Sequence, residues 1–142
     1  MEKQRSIDAG LLVLRIGIGF MFIIHGAPKL FGGPESWQAL GEMGMSTFGI
    51  SFGLTFWGFI AAFAEFFGGL FLIIGFLTRP FAILLFINMF VAAAMHLANG
   101  DGFKGASHAI EAGIVFLSLI ISGPGKYSAR QLIDPFKRKW FM

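Results

Sequence analysis

A long apolar segment at residues 56–77 constrains the fold of this chain more than any other feature. It contains about 22 apolar or small residues, enough for an α-helix to cross the hydrocarbon core of a bilayer. A single carboxylate, Glu65, lies near its middle. A charge at mid-bilayer costs about 2.5 kcal/mol or more, so we expect Glu65 to face protein rather than lipid. Ala61 and Gly69, one helical turn away on either side, are small enough for another helix to pack there.

The composition extends this conclusion to the whole chain. Of its 142 residues, 56% are hydrophobic and 13% are charged, whereas soluble domains carry about 25% charged residues. The mean hydropathy is +0.74. We therefore predict a single integral membrane domain surrounded by a lipid bilayer. The chain has no cysteine, which excludes a disulfide, a thiolate nucleophile or a sulfur-ligated cluster made by this chain alone.

The order of apolar runs predicts an all-α fold, a membrane-spanning antiparallel four-helix bundle. The predicted spans are residues 9–30, 54–77, 81–98 and 106–122, followed by a basic cytoplasmic tail at 123–142. Pro28 should bend or end the first helix. Apolar and acidic residues alternate at helical spacing over residues 35–49, which indicates a short interfacial helix between the first two spans, anchored by Trp37.

The distribution of lysine and arginine predicts the orientation. One side of the bundle receives only Lys29 and Lys104, if Arg15, within a span, is not counted. The other side receives Lys3, Arg5, Arg79, Lys126, Arg130, Lys137, Arg138 and Lys139. The positive-inside rule then places both termini of this multi-pass protein in the cytoplasm. The same clustering accounts for the pI of about 9.6, so we expect no nucleic-acid partner.

Every predicted span contributes an ionisable side chain, and most of them fall in one zone between mid-bilayer and the outer surface. At 1.5 Å per residue, this zone lies roughly 18 to 24 Å from the cytoplasmic helix ends. Its members are His25, Glu65, His96, His108 and Glu111. We predict that His25, Glu65, His96 and Glu111 surround one pocket that opens toward the outer face below Trp37.

Several of these side chains also have a purely structural interpretation. Arg15, roughly 10 Å into the first span, either forms a buried pair with Glu65 or Glu111 or extends to the headgroups. His25 and His96 either line the site or serve as local hydrogen-bonding and interfacial groups. His108 and Glu111, three residues apart, share a helix face and could hold a proton or a metal.

Short motifs follow one another in a fixed order along the chain. They are His25-Gly26-x-x-Lys29-Leu30, Glu65-x-x-Gly68-Gly69, Gly75-x-x-Thr78-Arg79, Asn99-Gly100, Glu111 and Gly123-Pro124-Gly125-Lys126-Tyr127-Ser128. Together, over residues 9–128, they resemble the DoxX family of small four-helix membrane proteins. The resemblance implies a four-helix bundle commonly labelled an oxidoreductase. One relative is a subunit of a thiosulfate:quinone oxidoreductase, and others are tied to membrane-associated responses to thiol and oxidative stress.

Three functions remain open from the sequence: a quinone-linked oxidoreductase subunit, a binding or transport protein for a small molecule, proton or metal, and a non-catalytic scaffold. For the first, the catalytic candidates are Glu65, His25 and His96, and the binding candidates are Arg15, Lys29, Asn88, Asn99, His108 and Glu111. A redox partner protein would supply electrons. A quinone is favoured over a metal as cofactor, and no residue is assigned to a metal. Gly-rich faces on the first two spans suggest a homodimer.

Overall fold

The computed structural model describes residues 1–129, which form five α-helices and no strand. The helices are α1 (Glu2–Phe31), α2 (Gly33–Met45), α3 (Leu54–Ile74), α4 (Thr78–Ala98) and α5 (Gly102–Ser122), with a 3-10 turn at Ser46–Phe48. All but α2 are long and apolar enough to cross a membrane. The predicted all-α bundle of four spanning helices is confirmed. Most of the predicted basic tail, residues 130–142, lies outside the described residues.

Glycines bring α1 and α3 into direct backbone contact. A Cβ atom added to Gly19 would lie 2.6 Å from the carbonyl oxygen of Gly69, and one added to Gly26 would lie 2.5 Å from the backbone nitrogen of Phe66. Without a hydrophobic driving force between helices in lipid, such close approach is a main source of helix association. Gly19, Gly26 and Gly69 are therefore buried inside the bundle, and the homodimer stays a prediction.

The centre of the bundle is filled by side chains from all four long helices. Phe22 of α1 and Phe116 of α5 meet edge to face, with ring centroids 4.9 Å apart. Leu72 of α3 and Leu85 of α4 are fully buried around this pair. The four long helices therefore share one apolar core.

Helix α2 lies against the beginning of α3. A Cβ atom at Gly58 would overlap the carbonyl of Trp37, so only glycine permits this contact. The Trp37 ring packs on Phe59 at 4.9 Å, and its Nε1 donates to the carbonyl oxygens of Lys29 (3.1 Å) and Leu30 (3.2 Å). Trp37, predicted as a membrane anchor, thus also satisfies free carbonyls at the end of α1.

Several helix boundaries differ from those expected: α1 begins at Glu2 rather than at residue 9, and α5 begins at Gly102 rather than at residue 106. Helix α1 continues through Pro28 to Phe31, one residue beyond the predicted end of the first span. The turn between α3 and α4 occupies residues 75–77 instead of 78–80, because Gly75 ends α3 in the left-handed region (φ 74°). Pro80 falls within the first turn of α4, where its missing N–H costs nothing.

Candidate functional site

A buried polar cluster joins α1, α3 and α4. The side chain of Glu65 accepts hydrogen bonds from Lys29 Nζ at both oxygens, at 2.8 Å and 2.7 Å. Asn88 Nδ2 donates to Glu65 Oε1 at 2.9 Å. Glu65 is only 4% exposed, which confirms that it faces protein. We refer to these three residues as the Lys29–Glu65–Asn88 cluster.

The cluster is positioned by the close contacts of the helices that carry it. Gly26 lies directly against the backbone of Glu65, since a Cβ atom there would lie 2.9 Å from Glu65 Cβ. Lys29 follows one helical turn later on the same face and so reaches the carboxylate. On the other side, a Cβ atom at Gly68 would lie 2.8 Å from Leu85 Cδ1. Asn88 follows Leu85 by one turn of α4 and meets Glu65 in the same way.

The ion pair is asymmetric in its burial. The Lys29 side chain is 38% exposed, whereas the Glu65 side chain is 5% exposed. The carboxylate therefore belongs to the bundle interior, while the lysine connects it to the surface. The ring of Phe66, the residue after Glu65, packs edge to face on Phe31 with centroids 5.5 Å apart. A polar group, an exposed cation and aromatic surface thus occur together at the end of α1.

Comparison with known proteins shows the family. The DoxX family model matches residues 10–98, which include all three members of the cluster. The chain belongs to the DoxX family. It is 32% identical over 140 residues to the inner membrane protein YqjF of Escherichia coli (strain K12), covering 94% of this chain and 96% of that protein. No solved structure gives a significant match. The predicted family is therefore confirmed.

The histidines of this DoxX-family chain form contacts separate from the cluster. The rings of His25 and His108 lie 5.9 Å apart between α1 and α5, and both residues are exposed on the outside of the bundle. His96 Nδ1 lies 2.7 Å from Asp101 Oδ2, near the turn between α4 and α5. Asn99, the residue that ends α4, is also exposed. None of the described contacts links these residues to Glu65, and their catalytic or binding roles stay predictions.

Glu111 faces outward, contrary to the expectation that it points to the bundle axis. The buried side of α5 is made of small and apolar residues, among them Ala109, Ala112, Gly113 and Phe116. Glu111 lies on the opposite, exposed side. Within residues 1–129 no set of three acidic or histidine side chains is arranged to hold a metal ion.

Arg15 pairs with neither of the glutamates, and the predicted Arg15–Glu65 or Arg15–Glu111 ion pair is wrong. Its fully buried guanidinium donates instead to backbone carbonyls, Leu72 O at 3.1 Å, Ile73 O at 3.5 Å and Tyr127 O. The carbonyls of Leu72 and Ile73 lie in the last turn of α3, and the carbonyl of Tyr127 lies in the loop after α5. A cation at a helix C-terminus is favoured by the helix dipole. Arg15 therefore joins three parts of the chain at one end of the bundle.

The sequence did not reveal two further polar contacts at this end. Asp8, 6% exposed, accepts a hydrogen bond from the backbone nitrogen of Lys126 at 3.0 Å. Arg79 Nε donates to the carbonyl of Ile120 at 3.1 Å, at the end of α5. Arg79 and Lys126 were named in the charge count and in the DoxX-like motifs, but neither signal predicted these contacts. Together with Arg15, they close the bundle end opposite the cluster.

Proposed function

We propose that this chain is a quinone-linked subunit of a membrane oxidoreductase and that its Lys29–Glu65–Asn88 cluster handles the protons. The observation that carries the proposal is the buried carboxylate of Glu65, held by Lys29 and Asn88 at 2.7 to 2.9 Å. Ionisable residues in membrane spans are costly, and they commonly mark proton or substrate pathways.

The chemistry of a quinone fits these side chains. Reduction of a quinone to a quinol consumes two electrons and two protons. Lys29 Nζ is a suitable hydrogen-bond donor to a quinone carbonyl oxygen. Glu65 can take up and release a proton, and Asn88 orients the Oε1 atom of that carboxyl group. The electrons are assigned to a redox partner protein, because the chain has no cysteine to hold an iron–sulfur cluster or a redox disulfide.

Access to the cluster is from the end of α1. Lys29 is partly exposed, so its ammonium group can contact both Glu65 and a molecule arriving from the lipid or the outer surface. Phe31 and Phe66 provide flat apolar surface beside it. The location we propose is the cell membrane, with both termini in the cytoplasm and the cluster in the outer half of the bilayer. The charge distribution supports this orientation, and the relative's description as an inner membrane protein supports a membrane location.

Quinone binding can be measured through the fluorescence of Trp37, whose indole N–H donates a hydrogen bond to the carbonyl of Lys29. With Trp57 and Trp140 replaced by phenylalanine, Trp37 is the remaining tryptophan. A short-chain benzoquinone should quench its fluorescence saturably, and Glu65→Gln should weaken binding by about tenfold or more, equivalent to about 1.4 kcal/mol. Glu42→Gln, the same change at an exposed carboxylate of α2, is the matched control. Absence of saturable quenching, or equal affinity in Glu65→Gln, contradicts the proposal and favours a scaffold.

A further inference from the structure

Helix α5 carries a second polar surface that points away from the bundle. Its members are His108, Glu111, Ser118 and Ser122, and all four are exposed. Their spacings of three, seven and four residues place them on one side of the helix. We call this set the α5 polar face. It shares no described contact with the Lys29–Glu65–Asn88 cluster.

Glu111 is the member of this face that demands explanation. It lies about 14 to 17 Å from either end of α5 at 1.5 Å per residue, and therefore near mid-membrane. A carboxylate there is unfavourable against lipid and almost always has a polar partner. Within residues 1–129, Glu111 makes no hydrogen bond or ion pair. Its partner must therefore come from outside the described part of the chain.

The α5 polar face contains the complement of its own charge. His108 lies three residues before Glu111, a rise of about 4.5 Å along the helix. His25 of α1 adds a second imidazole, with its ring 5.9 Å from that of His108. Because this surface carries a carboxylate and imidazoles side by side, the carboxylate of one copy can pair with an imidazole of a second copy. A different membrane protein would have to bring its own cation to the same depth.

We propose that two copies of this chain associate through the α5 polar face, with Glu111 of each copy bonded to His108 of the other. Two copies with the same orientation in a membrane are related by a two-fold axis along the membrane normal, so residues of similar depth meet. The three-residue offset then lets both Glu–His pairs form symmetrically. This proposal is independent of quinone binding.

The serines allow the close approach that such a dimer needs. Ser118 Oγ donates to the carbonyl of Ile114 at 2.9 Å, and Ser122 Oγ donates to that of Ser118 at 2.8 Å. Both hydroxyls are thus already hydrogen-bonded within α5. Small residues with satisfied polar groups are typical of helix–helix interfaces in membranes. Ser118 and Ser122, toward the cytoplasmic end of the face, therefore supply the close helix contact. His108 and Glu111, toward the outer end, supply the ion pairs.

The absence of cysteine makes disulfide cross-linking in native membranes a direct test, since any introduced thiol is unique. Ser118→Cys should give a covalent dimer on mild oxidation. The control is Ile83→Cys, on α4 at a similar depth and 44% exposed, which should remain monomeric. No dimer from Ser118→Cys, equal dimer from both variants, or a cross-link to a protein of another mass would overturn the proposal.

The charge pairing is tested in the Ser118→Cys background. Glu111→Leu and Glu111→Gln should each reduce the dimer fraction at limiting expression, with dimer dissociation increased by about tenfold or more. The glutamine variant keeps the size of the side chain if the leucine variant accumulates poorly. Unchanged cross-linking in Glu111→Gln contradicts the Glu111–His108 pairing.

Discussion

Loss of Lys29 should destabilise the protein by leaving Glu65 buried without its cation. Lys29→Met removes both Nζ hydrogen bonds and leaves Glu65 with the bond from Asn88. Breaking a fully buried ion pair by removing one partner costs about 3 to 5 kcal/mol. Because the Lys29 side chain is 38% exposed, water screens part of the interaction. We expect a cost of about 2 to 3 kcal/mol.

The measurement is thermal or SDS-induced unfolding of the purified protein in detergent. Lys104→Met, the same change at an exposed lysine, is the control and should have little effect. In a Glu65→Gln background, Lys29→Met should lower the free energy of unfolding much less, because glutamine carries no buried charge that would be left unpaired. The difference, a coupling energy of about 1 to 2 kcal/mol, isolates the pair. Equal effects of Lys29→Met in the two backgrounds would refute the reasoning.

Three further predictions concern the packing and the membrane orientation of the helices that hold the cluster. Arg15→Met should lower the free energy of unfolding by about 2 to 3 kcal/mol in the same assay, because it removes the guanidinium hydrogen bonds that tie α1 to the carbonyls of Leu72 and Ile73; an unchanged midpoint contradicts this role. Gly58→Ala should lower the free energy of unfolding by about 1 to 3 kcal/mol or more, because the added Cβ atom would overlap the Trp37 carbonyl. Gly17→Ala, whose added Cβ atom would have nothing within 4 Å, should not destabilise the protein. Reporter fusions at residue 142 and after Gly44 should report the cytoplasm and the outside respectively; the same compartment for both would overturn the orientation.

Helix faces were predictable from the sequence because they depend on the spacing of residues within one helix. The spacing of Arg15, Gly19, Phe22, Gly26 and Lys29 places them on one face of the first span, and the first four of these residues are buried. Glu65 was expected to face protein because charge is costly in lipid. Both conclusions need only helical periodicity and the properties of the bilayer.

Partners between helices were harder to predict because they depend on how the helices are offset along one another. The charge distribution placed Lys29 on the outer side, and the depth estimates placed Arg15 within roughly 8 Å of Glu65 along the membrane normal. The contact of Gly26 with Glu65 sets the actual offset, and the length of the lysine side chain covers the remaining distance. That Lys29 shares the face of Gly26 was the available signal.

The orientation of α5 also could not be settled by polarity alone. One side of the helix carries Glu111 and the serines, and the other carries Ala109 and Gly113. Polar residues favour the interior of a membrane bundle, but small residues favour close packing there as well. In α5 the small side is buried, so the polar side faces outward.

Photoaffinity labelling with an azidoquinone, mapped by mass spectrometry, tests the proposed quinone site most directly. In native membranes, the label should attach near Lys29 in α1 or near Glu65 in α3. Excess unlabelled quinone should abolish this labelling, and Glu65→Gln should reduce it strongly, while Glu42→Gln should leave it unchanged. Labelling spread over the lipid-facing surface, insensitive to excess quinone or to Glu65→Gln, would contradict a quinone site at the Lys29–Glu65–Asn88 cluster.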